Sequence, residues 1–144
     1  MLLVSEGEGN LTTLNHRKWT IEDSLDLYNI RQWGNGYFSA NEKGNLVVQP
    51  GGTGAPAVDM KDLVDEVRQR GIGAPMLIRF SQILKARVVE LNEAFLRAIA
   101  EYGYQGTYRG VFPIKVNQEK YVVERLIEAG RAYHFGLEAG SKPE

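Results

Sequence analysis

Few side chains in this sequence combine a reactive type with a telling position, and the first is Lys115 in the stretch YRGVFPIKVNQ at 108–118. A lysine amine at the C-terminal end of a strand, just before a helix, can attack a carbonyl carbon and hold it as a Schiff base. Desolvation between Ile114 and Val116 would lower its pKa and sharpen it as a nucleophile. Glu138 closes the next strand-like run and offers a carboxylate to hold or orient that amine. Both residues have plainer readings, a solvated loop lysine and a cap for the turn at Ser141. His134 can stack on a flat ring or serve as a hydrogen-bonded structural histidine. Arg109 alternates onto the same side as Lys115, where a buried ion pair is expected. Two histidines (one of them His16, in the tail) and no cysteine leave no zinc-binding spacing. Gly51-Gly52-Thr53-Gly54 lacks the lysine of a phosphate loop and reads as a linker.

The elements that must position Lys115 follow from periodicity. Residues 1–18 show none and are expected to be a loose tail. A helix is expected after Trp19, capped by Thr20, with Ile21, Leu25 and Tyr28 on one face and Glu22 and Asp23 near its positive end. The residues from Arg31 to Gly36 then read as a break. Short strand-like runs at 37–40 and 46–49 form a hairpin, with Gly44 holding the positive φ of its turn. The Pro/Gly-rich run 50–56 reads as a linker.

Asp59 caps a second helix that Gly71 stops, with Leu63, Val64 and Val67 as its apolar stripe. Residues 76–80 read as a buried strand. A long helix follows from Ser81 to about Tyr102, with Leu84, Val88, Leu91, Phe95, Ile99 and Tyr102 as its stripe and Gly103 as its stop. Alternation over 107–116 gives the next strand and points Lys115 inward, with a kink expected at Pro113. Asn117 caps the helix after it, and 133–138 forms a third strand. Gly140 to Glu144 reads as the start of a further helix. Strand, helix, strand, helix, strand implies right-handed crossovers and a parallel sheet. Three strands do not close a barrel, so an incomplete fold from a larger protein is expected.

Composition narrows the function classes. The 144 residues suffice for one ordinary domain, and 43% hydrophobic with 24% charged content is that of a globular protein. Seventeen basic against eighteen acidic residues, with no basic block, argue against a general grip on nucleic acid or anionic lipid. No apolar run approaches the roughly 18 residues that span a bilayer. The opening MLLVSEGEGN lacks the basic start and apolar core of a signal peptide, so cytoplasm is the expected location.

FPIKVNQ resembles the lysine segment of the pyridoxal-phosphate decarboxylases built on an alanine-racemase-like barrel, and LEAGSKPE resembles their next strand end. Within that group, YRGVFPIKVNQ, LNEAFLRAIAEYGYQG, YHFGLEAGSKPE and the earlier WTIEDSLDLYNIRQWGNGYFSANEKGNLVV are similar to the biosynthetic arginine-decarboxylase family. The resemblance implies an α/β fold: the first units of a parallel (β/α) TIM-type barrel at 57–144, preceded at 19–56 by part of a β-domain. It implies that Lys115 forms the internal Schiff base with pyridoxal 5'-phosphate. Glu138, Ser141 and His134 are then expected beside the cofactor. It further implies arginine as substrate, agmatine formation for polyamine synthesis, magnesium dependence and a homo-oligomer with shared active sites. Related substrates (ornithine, diaminopimelate, lysine) and a non-catalytic cofactor-binding homologue acting through a protein partner remain alternatives. The family's phosphate loop, the acidic partner of its pyridine nitrogen and its substrate-binding segments lie downstream of these motifs, so this stretch is expected to be inactive alone.

Overall fold

A computed structural model describes residues 17–144. The expected tail, His16 included, therefore lies outside the described residues except for Arg17 and Lys18, both exposed.

Helix α1 (Ile21–Leu27) begins where its capping chemistry dictates. Thr20 Oγ1 accepts from the Asp23 N–H at 3.2 Å, and the Asp23 carboxylate accepts from the Thr20 N–H at 2.8 Å. Hydrogen bonds from the Thr20 hydroxyl and then its amide hold the Asp23 carboxyl below its ordinary range. The break expected after it is corrected: Ile30–Gly34 form a short helix, α2. Asn29 and Asn35 flank it in left-handed conformations, φ 51° and 46°, which asparagine tolerates better than most residues. Leu25 and Ile30 are buried, whereas Tyr28, expected on the same face, is exposed.

Strands β1 (Phe38–Ala40) and β2 (Leu46–Val48) pair antiparallel, with Phe38 opposite Val48, and Gly44 takes φ 78° in the connecting turn. A third strand, β3 (Val58–Asp59), pairs antiparallel with β2 and lies just past the linker run. Two residues are too short a run to show alternation. Asp59 also caps α3 (Met60–Gln69), accepting from the Lys61 N–H at 2.9 Å. Its other oxygen accepts from the side-chain amides of Asn41 at 2.7 Å and Asn45 at 2.9 Å, so one carboxylate ties the hairpin to the helix. The Asn45 bond leads the causes that hold its pKa down.

The expected strand at 76–80 is corrected: the segment is not laddered to any neighbour among the described residues, and Leu77 is 71% exposed. An apolar run shows that burial would be favourable; it does not supply a hydrogen-bonding neighbour. Helix α4 (Ser81–Glu101) follows, and Gly103 ends it at φ 60°. Its expected stripe is only partly covered. Val88 joins Val122 and Leu126 in the core, with Leu84, Phe112 and Ala129 packed around them, while Leu91, Phe95 and Tyr102 stay exposed. Asn92, expected on another face, is 1% exposed and donates from Nδ2 to the Val88 carbonyl at 2.7 Å.

Strand β4 (Val111–Pro113), a 3-10 turn (Ile114–Val116), helix α5 (Lys120–Gly130), a second 3-10 turn (Arg131–Tyr133) and β5 (Gly136–Glu138) complete the chain. β4 and β5 pair parallel in the register Val111 to Gly136, Phe112 to Leu137 and Pro113 to Glu138. This is the expected crossover unit of an α/β fold, with α5 packed against α4. The further helix expected at 140–144 is instead a set of turns.

Phe135 fixes where the two strands meet. Its amide donates to the Gly130 carbonyl at 3.1 Å, and the next amide, of Gly136, donates to Gly110 at 2.9 Å. A Cβ at Gly130 would come within 2.3 Å of the Phe135 Cβ, and one at Gly110 within 2.6 Å of its ring. Gly130 has an ordinary φ of −88°, so its need for glycine is steric. Gly130→Ala should therefore cost about 1–3 kcal/mol by overpacking, read as a lower midpoint in urea unfolding.

Candidate functional site

Pro113 closes β4, because its missing N–H cannot extend the ladder. The chain then enters the 3-10 turn, closed by the Asn117 N–H donating to Ile114 at 3.1 Å, and that turn carries Lys115. A 3-10 turn advances about 120° per residue instead of the 180° of a strand. The inward direction read for Lys115 from alternation is therefore corrected. Lys115 is exposed, and Val116, assigned to the apolar side, is exposed with it. Ile114 and Val116 do not enclose the Lys115 side chain among the described residues.

The expected cap is displaced as well. Helix α5 starts at Lys120 with Glu119 at its cap position, and Asn117 Oδ1 accepts from the Glu119 N–H at 3.0 Å one step earlier. Asn117 therefore shapes the approach to the helix, which separates the Lys115 turn from its first residue.

Glu138 ends β5 directly opposite Pro113, and so lies at the same end of the parallel pair as the Lys115 turn. It is half-buried and pairs with no cation among the described residues. Ser141 is exposed and donates from Oγ to Glu144 Oε1 at 2.9 Å, while the other oxygen of Glu144 accepts from the Gly140 N–H at 2.9 Å. Lys115, Glu138 and Ser141 thus share one end of the strand pair.

His134 does not join them. It precedes β5, in a left-handed conformation with φ 54°, at the N-terminal end of the pair. Arg109 precedes β4 at that same far end, exposed and without an ion pair among the described residues, which corrects the buried pair expected there.

No family model matches the chain. Curated proteins do. The biosynthetic arginine decarboxylase of Gloeobacter violaceus is 53% identical over 126 residues, 88% of this chain and 20% of that protein. That of Thermosynechococcus vestitus is 51% identical over 134 residues, 93% of this chain and 21% of its own length. Biosynthetic arginine decarboxylase 1 of Synechocystis is 54% identical over 128 residues, 89% and 18%. This chain is a relative of the biosynthetic arginine decarboxylases. It spans about a fifth of the length of these curated relatives.

Two tertiary contacts around the site join residues forty positions apart, a separation at which sequence spacing carries no signal. Arg79 donates to Glu119 at 2.6 Å, tying the extended run 76–80 to the approach of α5, just beyond the Lys115 turn. Tyr133 donates its hydroxyl to Glu93 Oε1 at 2.7 Å, tying the turn before β5 to α4. The carboxylate, first through that hydrogen bond and then together with desolvation, holds the Tyr133 phenol above its ordinary pKa. The sign follows directly: this stabilisation is complete below the unfolded tyrosine pKa and is lost as pH rises through the higher folded value. An ultraviolet titration should show one of the seven tyrosines ionising above the rest, and Tyr133→Phe should remove that late step.

Proposed function

We propose that this chain is the cofactor-anchoring segment of a pyridoxal-phosphate-dependent decarboxylase that converts L-arginine to agmatine and carbon dioxide in polyamine biosynthesis. The observation that carries the reading is half identity to biosynthetic arginine decarboxylases over about nine-tenths of the chain, with Lys115 at the C-terminal end of a parallel strand pair. That end is where α/β enzymes assemble their sites.

The donor chemistry fits the cofactor. Lys115 offers an exposed primary amine with no carboxylate partner among the described residues, free to bond the cofactor's aldehyde carbon. Glu138, half-buried at the same strand end, orients charge beside that bond. Ser141 adds a hydroxyl oxygen whose proton is already given to Glu144. His134, at the opposite end of the strands, is left out of the set. When bound, pyridoxal phosphate supplies an electron sink for the pair left as the bond to the substrate carboxylate breaks. Lys115 holds the reacting centre in register, and the turn that carries it is fixed by Pro113 and Asn117.

The larger architecture belongs to the same proposal. In this reading the first units of a TIM-type barrel follow part of a β-domain. Elements α1 to β3 and α3 pack among themselves, as do α4 to β5, which supports two parts divided after α3 and not at 56/57, because β3 pairs with β2 and α3 packs on β2. Purely parallel sheets are covered on both faces, yet Val111 is 56% exposed, which supports further elements packing on this sheet in the whole protein. A homo-oligomer with shared sites and a cytoplasmic location complete the reading; among the described residues no helix is long and apolar enough to cross a membrane. The magnesium that the resemblance implies is assigned no ligand in this segment, where no group of three or more candidate ligands occurs among the described residues.

Carbon dioxide release from arginine, ornithine and lysine by the full-length protein carrying this segment tests the function. Arginine should be the preferred substrate, and Lys115→Ala should lower its turnover by at least about a thousandfold, as loss of a covalent catalytic group does. Unchanged release in that variant would remove Lys115 from the mechanism.

A further inference from the structure

The N-terminal end of the β4–β5 pair, opposite Lys115, carries a cavity of its own. It is a half-open hollow of about 400 Å³ between α4, the run into β4 and the turn before β5. Leu96, Ile99 and the Tyr108 ring give it apolar walls, and Phe95 stacks on Tyr108 at 3.8 Å with ring planes 8° apart, which holds that ring in place. Its polar lining is one-sided: Asn92, Arg109 and His134 contribute to it, together with a threonine and Tyr133, and no carboxylate does.

Two of these polar groups are arranged in ways that packing does not require, while Asn92, 1% exposed and bonded to the Val88 carbonyl, belongs to the packed wall of the hollow. Arg109 has a full charge and no acidic partner among the described residues. His134 adopts a left-handed backbone that side-chain-bearing residues seldom take, and backbone of this kind collects at ligand sites. Glu93, next to Asn92 on α4, is already engaged by the Tyr133 hydroxyl.

We infer that this hollow is a binding site for a small carboxylic acid with an aromatic or branched apolar body. The apolar walls and Tyr108 take the body, and the Arg109 guanidinium takes the carboxylate through charge-assisted hydrogen bonds. The site is separate from Lys115 and does not depend on the decarboxylase reading.

3-Phenylpropionate, titrated by calorimetry into the full-length protein carrying this segment, is a suitable probe, with neutral 3-phenylpropionamide as its control. Saturable binding of the acid is expected, with the amide weaker by about tenfold, the scale of one hydrogen bond to a charged group. Arg109→Gln, at an exposed position, should weaken the acid by a similar factor and leave the amide unchanged. Ala132→Phe, which fills the hollow from its rim, should abolish binding of both, while Lys115→Ala should leave binding intact. Circular dichroism identical to wild type establishes that each variant is folded. Absence of saturable binding, equal affinity for acid and amide, or binding indifferent to both cavity variants would overturn the assignment.

Discussion

The close approach of Phe135 to Gly110 and Gly130 is the constraint on which the site depends. It seats the end of α5 against the start of β4 and delivers β5 into parallel register, Pro113 opposite Glu138. Without that seating, the crossover from β4 through α5 to β5 would have no fixed length. The Lys115 turn and the Glu138 carboxylate would then not finish at the same end. The core beneath it is small: Val88, Val122 and Leu126, with Phe112 packed against them from the strand. Two glycines and one phenylalanine thus determine which chemistry-bearing residues are neighbours.

Sequence patterns showed most of the local structure and the topology near the site. The Thr20 and Asp59 caps, the Gly44 turn and the Gly71 and Gly103 stops were readable because each rests on interactions within a few residues. The parallel crossover was readable because a helix between two apolar runs leaves few ways to pack. The misreadings arise where a long-range or competing term decides. Residues 76–80 have strand composition without a ladder neighbour. Lys115 lost its assigned direction because Pro113 converts the strand into a 3-10 turn, which changes the angular step per residue. Asn29 and Asn35 take left-handed conformations and α2 forms between them inside the expected break, where Gly36 also turns the chain at φ 77°.

The candidate site was legible in a more limited way. Spacing placed Lys115 and Glu138 at consecutive strand ends, and the structure keeps them at one end of the sheet. Spacing placed Arg109 on the Lys115 side of its strand, and the structure sets Arg109 and His134 just before β4 and β5, at the other end of the pair. Each end of a short parallel pair therefore carries its own chemistry, an exposed amine and carboxylate at one, a cationic and aromatic hollow at the other. The forty-residue contacts Arg79 to Glu119 and Tyr133 to Glu93 brace the two ends, and neither leaves a trace in local sequence.

The central claim is that Lys115 anchors the cofactor, and chemical trapping addresses it most directly. The full-length protein carrying this segment is loaded with pyridoxal phosphate, reduced with borohydride, digested and mapped by mass spectrometry. The account predicts a single stoichiometric phosphopyridoxyl group on the peptide containing FPIKVNQ, at Lys115. A folded, cofactor-loaded protein with Lys115 unlabelled and another lysine modified in its place would contradict it.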